Sequence, residues 1–164
     1  MRSPNWFITE AKGTKQGAFK PEGNVKDQKN WIPLHGVEYG VMSPHDVASG
    51  HTSGKRQHKP FAMHKVPGAS SPQWFLALIH NETLSSVKVE RYEMLNAKLT
   101  QTFTFALTNV QVVDWSIETL EEAAAGESRP SEYLLEEIKL TFQKIEFNYV
   151  PGKTSAMDDW FAAS

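Results

Sequence analysis

The side chains of this 164-residue chain that could do chemistry are six histidines, nineteen carboxylates and a glycine-flanked stretch, Gly50-His51-Thr52-Ser53-Gly54-Lys55-Arg56. A nucleophile elbow needs serine midway between two glycines, and here Thr52 holds that slot. A phosphate-binding loop needs four residues between its glycines and Ser or Thr after the lysine, whereas this chain has three, then Arg56. His45, His51, His58 and His64 recur every six or seven residues, which matches neither a helical i, i+4 pair nor a finger spacing. Cysteine is absent, so thiolate catalysis, disulfides and sulfur-ligated zinc are excluded. Adjacent acids occur at Glu121 and Glu122, Glu136 and Glu137, and Asp158 and Asp159. On a strand, neighbours face opposite ways and form no carboxylate dyad, so these acids are expected on solvated faces. No catalytic residue, metal ligand or cofactor site is assigned.

One polar feature remains. In VMSPHDVASGHTSGKRQHKPF, residues 41 to 61, a glycine-punctuated linker leads into Lys55, Arg56, Gln57, His58, Lys59 and Pro60. A solvated loop is the default for such charges. Nucleic-acid binding needs interleaved aromatics and a wide basic field, and only Phe61 is near. A loop this long favours a protein contact. The same chain carries a complement: ETLEEAAAGESRPSEYLLEE, Glu118 to Glu137, holds seven glutamates, Glu121, Glu122 and Glu127 among them, against the single Arg129. Copies meeting head to tail would set the basic loop against this acidic segment. The net charge of −2 supplies no general attraction to nucleic acid or anionic lipid. No run approaches the ~18 apolar residues of a membrane span, and the first residues lack a secretory apolar core.

The elements that must position this loop read mostly as strands. A chain of this length is expected to form one domain with a substantial core. Apolar runs occur at Trp6–Ile8, Trp31–Met42 and Gln57–Val66, the first two separated by a polar loop at 13–30, with Gly36 and Gly40 marking bulges or close backbone approach and Pro60 a sheet edge or a strand start. Leu84–Met94 alternates, with Val87 and Val89 on one face. Two longer strands, 99–115 and 135–149, change phase along their length, which predicts bulges near Asn109 and near Gln143 or Lys144. Bulged, bent strands close barrels. In SSPQWFLALIHN, Ser71 is the expected cap, Pro72 the first helical residue, and Trp74, Phe75, Leu78 and Ile79 a buried stripe ending at Asn81. A weaker helical turn is expected in LEEAAAGE, stopped by Gly126.

SGKRQHKPF, SSPQWFLALIHNETL, VKVERY, LTFQKIEFNY and MDDW, in that order, resemble the Hcp (hemolysin-coregulated protein) family, the tube protein of bacterial type VI secretion systems. The likeness is strong over residues 50–161 and loose over the first 45. It implies a mainly β fold: a compact antiparallel β-barrel of two packed sheets with one flanking α-helix, one domain over 1–164, with an extended loop at about 42–57. It further implies hexameric rings that stack into a tube expelled by a sheath and capped by a spike, with small effectors in the lumen. The implied location is the bacterial cytoplasm before firing and the outside afterwards, without a cleaved signal peptide. By position, Lys55 to Pro60 fall on the loop that reaches neighbouring subunits or the next ring. A monomeric ligand-binding β-barrel is the competing reading, with an enzyme third.

Overall fold

The computed structural model describes residues 5–22, 31–122, 126 and 131–160. The chain first forms strands β1 (Trp6–Gly13), β2 (Gly17–Ala18), β3 (Ile32–Leu34), β4 (Gly36–Glu38), β5 (Val41–Met42), β6 (Gln57–His58) and β7 (Phe61–Lys65). Helix α1 (Ser71–Ile79) follows, then β8 (Leu84–Leu95), β9 (Lys98–Glu122), β10 (Ser131–Tyr149) and β11 (Thr154–Asp159). All pairings are antiparallel, in the order β2-β1-β8-β9-β10-β7-β4, with β3 added to β1 and β11 to β10. β5 and β6 form a separate ribbon.

The expected closed barrel of two packed sheets is therefore corrected to one curled nine-stranded sheet and a small ribbon. Its seam is crossed by the chain itself. β3 pairs with β1 and β4 with β7, and His35 between them bends the backbone, its N–H donating to the His64 carbonyl at 2.7 Å. The strand expected over 31–42 is thus broken three ways, and Pro60 divides the one expected over 57–66. Around the concave face lies one core built from Ile8, Leu34, Phe61, Met63, Leu84, Val87, Leu107, Val110, Ile138 and Leu140, closed by Trp74 of the helix.

The phase changes are real but differently built. Asn109 has φ of 51°, and its side-chain amide donates to the Gln143 oxygen at 2.7 Å. Register runs through unchanged, from Val110↔Phe142 to Thr108↔Lys144, so both strands kink together and the two irregularities cancel. The register slip falls further on, where Val112 and Asp114 face Leu140 and Lys139.

The helix also departs from expectation. Ser70, not Ser71, is its cap residue, and no side-chain hydrogen bond closes that cap. Trp74 and Ala77 are buried, while Phe75 and Ile79 are 42% and 52% exposed, because only one edge of the stripe reaches the sheet. Asn81 does terminate it with φ of 50°. Leu120, Glu121 and Glu122 belong to β9 rather than to a helical turn, and the rest of that stretch apart from Gly126 lies outside the described residues. Among the described residues, no helix is long and apolar enough to cross a membrane.

Candidate assembly surfaces at the two poles

β7 separates the two charged regions noticed in the sequence. Before Phe61 the chain comes from the β5–β6 ribbon and the basic loop; after Lys65 it passes Val66 beneath the hairpin arm formed by the far halves of β9 and β10. β10 runs the length of the molecule, pairing with β7 over Glu136–Leu140 and with β11 over Lys144–Tyr149.

At the loop pole the segment 43–56 is not structureless. His45 bridges to Thr52, the Ser53 N–H donates to the Pro44 carbonyl at 2.7 Å, and the Asp46 carboxylate accepts from the Ala48 N–H at 2.9 Å and the Ser49 hydroxyl at 3.2 Å. Gly50, with φ of 74°, allows the return. The basic cluster behind it is largely spent within the chain. Arg56 grips Asp158 two-handed, Nε to Oδ2 at 2.5 Å and Nη2 to Oδ1 at 2.7 Å, and Nη2 also donates to the Asp159 carbonyl at 3.1 Å. His58, nearly buried, places Nε2 2.6 Å from Asp158 Oδ2 and Nδ1 2.6 Å from the Tyr39 hydroxyl. Lys55 Nζ donates to the Trp160 carbonyl at 2.5 Å. The His58 ring also packs edge-on against Phe142 and Trp160.

These contacts form a clasp between the loop and β11. The hydrogen bonds from Arg56 first, and then from His58, hold the Asp158 carboxyl down at about 2, and burial pushes the Tyr39 hydroxyl up. Asp158 is thus not the solvated acid the sequence suggested. Gln57 pairs with Met42 and stays exposed. Lys59 and Pro60 are exposed and, with Lys139, line a cleft of about 250 Å³.

The arm pole is built the other way. β9 and β10 continue beyond the last β7 pair, Glu136↔Lys65, as a two-stranded ribbon. Its apolar residues point both ways: Ile117 and Leu134 are exposed on one face and Tyr133 on the other, with Leu120 and Leu135 half-buried. Glu121 lies directly opposite Glu132, and Glu118 and Glu122 are exposed beside them. Like charges set opposite each other in a ladder are destabilising. Glu127 lies outside the described residues. A groove of about 540 Å³ opens at this pole, lined by His35, Gly36, His64, Val66, Glu122, Glu132, Tyr133 and Leu135.

The arm is rooted in a buried polar cluster that the sequence reading missed. Lys65 and Glu136 are both fully buried and paired at 2.6 Å, and Lys65 also meets Glu22 at 2.9 Å. Glu136 further accepts from the Ser71 hydroxyl at 2.8 Å and the Trp115 indole N–H at 2.6 Å. Glu22 accepts from Ser70 N–H at 2.7 Å and its hydroxyl at 2.6 Å, so the helix start, β7, β9 and β10 share one network. Glu136 was expected on a solvated face. The signal was the strand period: Phe61, Met63 and Lys65 share one face, and so do Glu136, Ile138 and Leu140.

Among the described residues, the two poles present charged and apolar side chains, with no group of three or more His, Asp or Glu placed to hold a metal ion. The family model for the type VI secretion system effector Hcp matches residues 10–149, and the chain belongs to that family. The match reaches further toward the amino terminus than the sequence resemblance did and ends before Met157–Trp160. A relative called "Major exported protein" from Pseudomonas aeruginosa is 29% identical over 158 residues, covering 90% of this chain and 91% of the relative. Among solved structures, an Hcp protein superposes with a TM-score of 0.80 at 24% identity, covering 94% of this chain and 99% of that one. The secreted protein Hcp3 from Pseudomonas aeruginosa gives 0.74 at 24% identity, covering 98% and 100%.

Proposed function

We propose that this chain, acting as a single domain over residues 1–164, is a structural subunit of a type VI secretion tube. Six copies close into a ring, rings stack, and the stack is expelled by a sheath behind a spike, carrying small effectors in its lumen. It waits in the bacterial cytoplasm and leaves without a cleaved signal peptide, doing its work by assembly and not by catalysis. The observation that carries this reading is family membership across residues 10–149. Opposed poles support it: a head-to-tail contact uses one surface as donor and a different one as acceptor on every copy, and closes into a ring when its rotation allows. Lys55, Arg56, Gln57, His58, Lys59 and Pro60 belong to the first surface and Glu121 and Glu122 to the second, while Glu127 lies outside the described residues.

Negative-stain electron microscopy of the purified protein tests this directly. Uniform annuli are expected. Fields of single small particles at low and moderate ionic strength would contradict the assembly and leave the ligand-binding reading standing.

A further inference from the structure

β10 has a partner along its whole length on one side but not on the other. β9 covers Ser131–Tyr149, whereas on the second side β7 ends at Lys65 opposite Glu136, and Pro67 just beyond has no backbone N–H to carry the ladder further. Over residues 131–135 the outer edge of β10 therefore faces no strand among the described residues. The groove at the arm pole lies against this stretch, with an apolar lining from Val66, Tyr133 and Leu135 and carboxylates from Glu122 and Glu132. Tyr133 and Leu135 share a face by strand alternation, and Glu122, whose ladder partner is Ser131, lies on that face as well. An open edge of five residues, about 16 Å, beside alternating side-chain sites is what a strand added from outside requires. A third strand also makes a stable sheet of a ribbon that is marginal alone.

Charge selects the occupant. The groove attracts a strand that carries Lys or Arg and repels an acidic one. The chain's own longer open edges are of the wrong sign: β11 carries Asp158 and Asp159 and no cation, the part of β9 beyond its last pair with β8 carries Glu118, Glu121 and Glu122, and the end of β8 carries Glu93. Strands β2 to β6 are two or three residues long.

We propose that the outer edge of β10 at residues 131–135 is a docking site for an extended segment of a different polypeptide. The segment pairs backbone to backbone with this edge, seats apolar side chains on Val66, Tyr133 and Leu135, and sets Lys or Arg beside Glu122 and Glu132. The inference does not rest on ring formation.

Fluorescence anisotropy on the full chain with a labelled peptide, Lys-Thr-Val-Thr-Val-Thr-Lys, tests this. The pattern reads the same in both directions, so one face carries two valines between two lysines whichever way the strand runs. Saturable binding is expected, about tenfold tighter or more than that of the peptide with Glu in place of both Lys. A similar margin of about tenfold is expected over the peptide with Pro in place of the central Thr, which keeps the charges but cannot complete the ladder. Tyr133→Lys, at an exposed position, should weaken binding by about tenfold with the melting temperature unchanged. Hydrogen exchange of the amides at 131–135 should slow when the Lys peptide is added. Absent binding, equal binding of the Pro peptide, or binding that Tyr133→Lys leaves unaltered overturns the site. Slowing of the same amides as protein concentration rises without peptide assigns the edge to a second copy and overturns it too. Failure to form annuli overturns the assembly and leaves this result untouched.

Discussion

The loop pole sets its basic residues against aspartates of its own chain and the arm pole exposes glutamates, and the larger difference between them is how completely each is satisfied. At the loop pole, Arg56, His58 and Lys55 find partners in β11 and Trp160 of the same chain. At the arm pole, Glu121 faces Glu132, and apolar side chains are exposed on both faces of a two-stranded ribbon. Such a ribbon is marginal in water by itself. One end of the molecule is tied together by its own fold, whereas the other keeps apolar side chains and facing glutamates exposed. In a head-to-tail contact that division is economical, since the donor surface arrives ordered and the acceptor gains the burial it lacks.

The largest effect is expected at the root of the arm. Lys65→Ala strands the buried Glu136 and Glu22 carboxylates and should cost about 3–5 kcal/mol, read as a lower midpoint in urea or heat. Because the cluster ties the helix start to β9 and β10, the loss should fall on the whole domain. A cost near zero would mean the cluster admits water and does not anchor the arm.

The clasp comes next in size. Asp158→Asn should release the loop, so that trypsin cuts after Lys55 or Arg56 about tenfold faster in the dilute subunit, with amide protection in α1 and β8 unchanged. The exposed Asp114→Asn serves as the control. Equal cleavage of the two variants would show that the clasp holds nothing.

Acidity should sharpen the same contrast. Asp158 titrates at about 2 in the folded chain, below its ordinary value of 3.8. A lowered carboxyl stabilises the folded state above the ordinary value, and that contribution disappears as pH falls through the folded one. Wild type should therefore resist loop cleavage better than Asp158→Asn from neutral pH down to about 4, with the gap closing toward 2. An acid-tolerant protease such as pepsin reads the lower end. A gap that closes near pH 6 would place the control with another group.

The smallest effect is the most diagnostic of an unfinished surface. Glu121→Lys replaces the repulsion with Glu132 by an attraction and should stabilise the dilute subunit by about 0.2–1 kcal/mol. In the proposed head-to-tail contact, where this carboxylate faces the basic loop of the next copy, the substitution should simultaneously weaken association. Parallel changes in stability and assembly would remove the distinction between the poles.

Much of this architecture is legible in the residues, and the failures share a cause. Period-two alternation marks Val87 and Val89 as inward, and the phase changes near Asn109 and Gln143 correspond to a real kink. What alternation does not convey is pairing across strands, so two kinks that oppose and cancel look the same as two bulges. Lys65 and Glu136 occupy core parity, yet charge argued for solvent, and the two are joined only through a ladder linking residues far apart in the chain. Asp158 lies about a hundred residues from Arg56, and nothing local connects them. The closed barrel failed for a related reason: the chain crosses the seam at His35 by a bend, which strand propensity does not encode.

Size-exclusion chromatography with in-line light scattering on the unmodified protein reads directly whether copies assemble. A self-assembling subunit should run as a species several times the 18.5 kDa chain, shifting toward that mass as salt is raised. A single 18.5 kDa species at every concentration and at low salt would contradict the assembly.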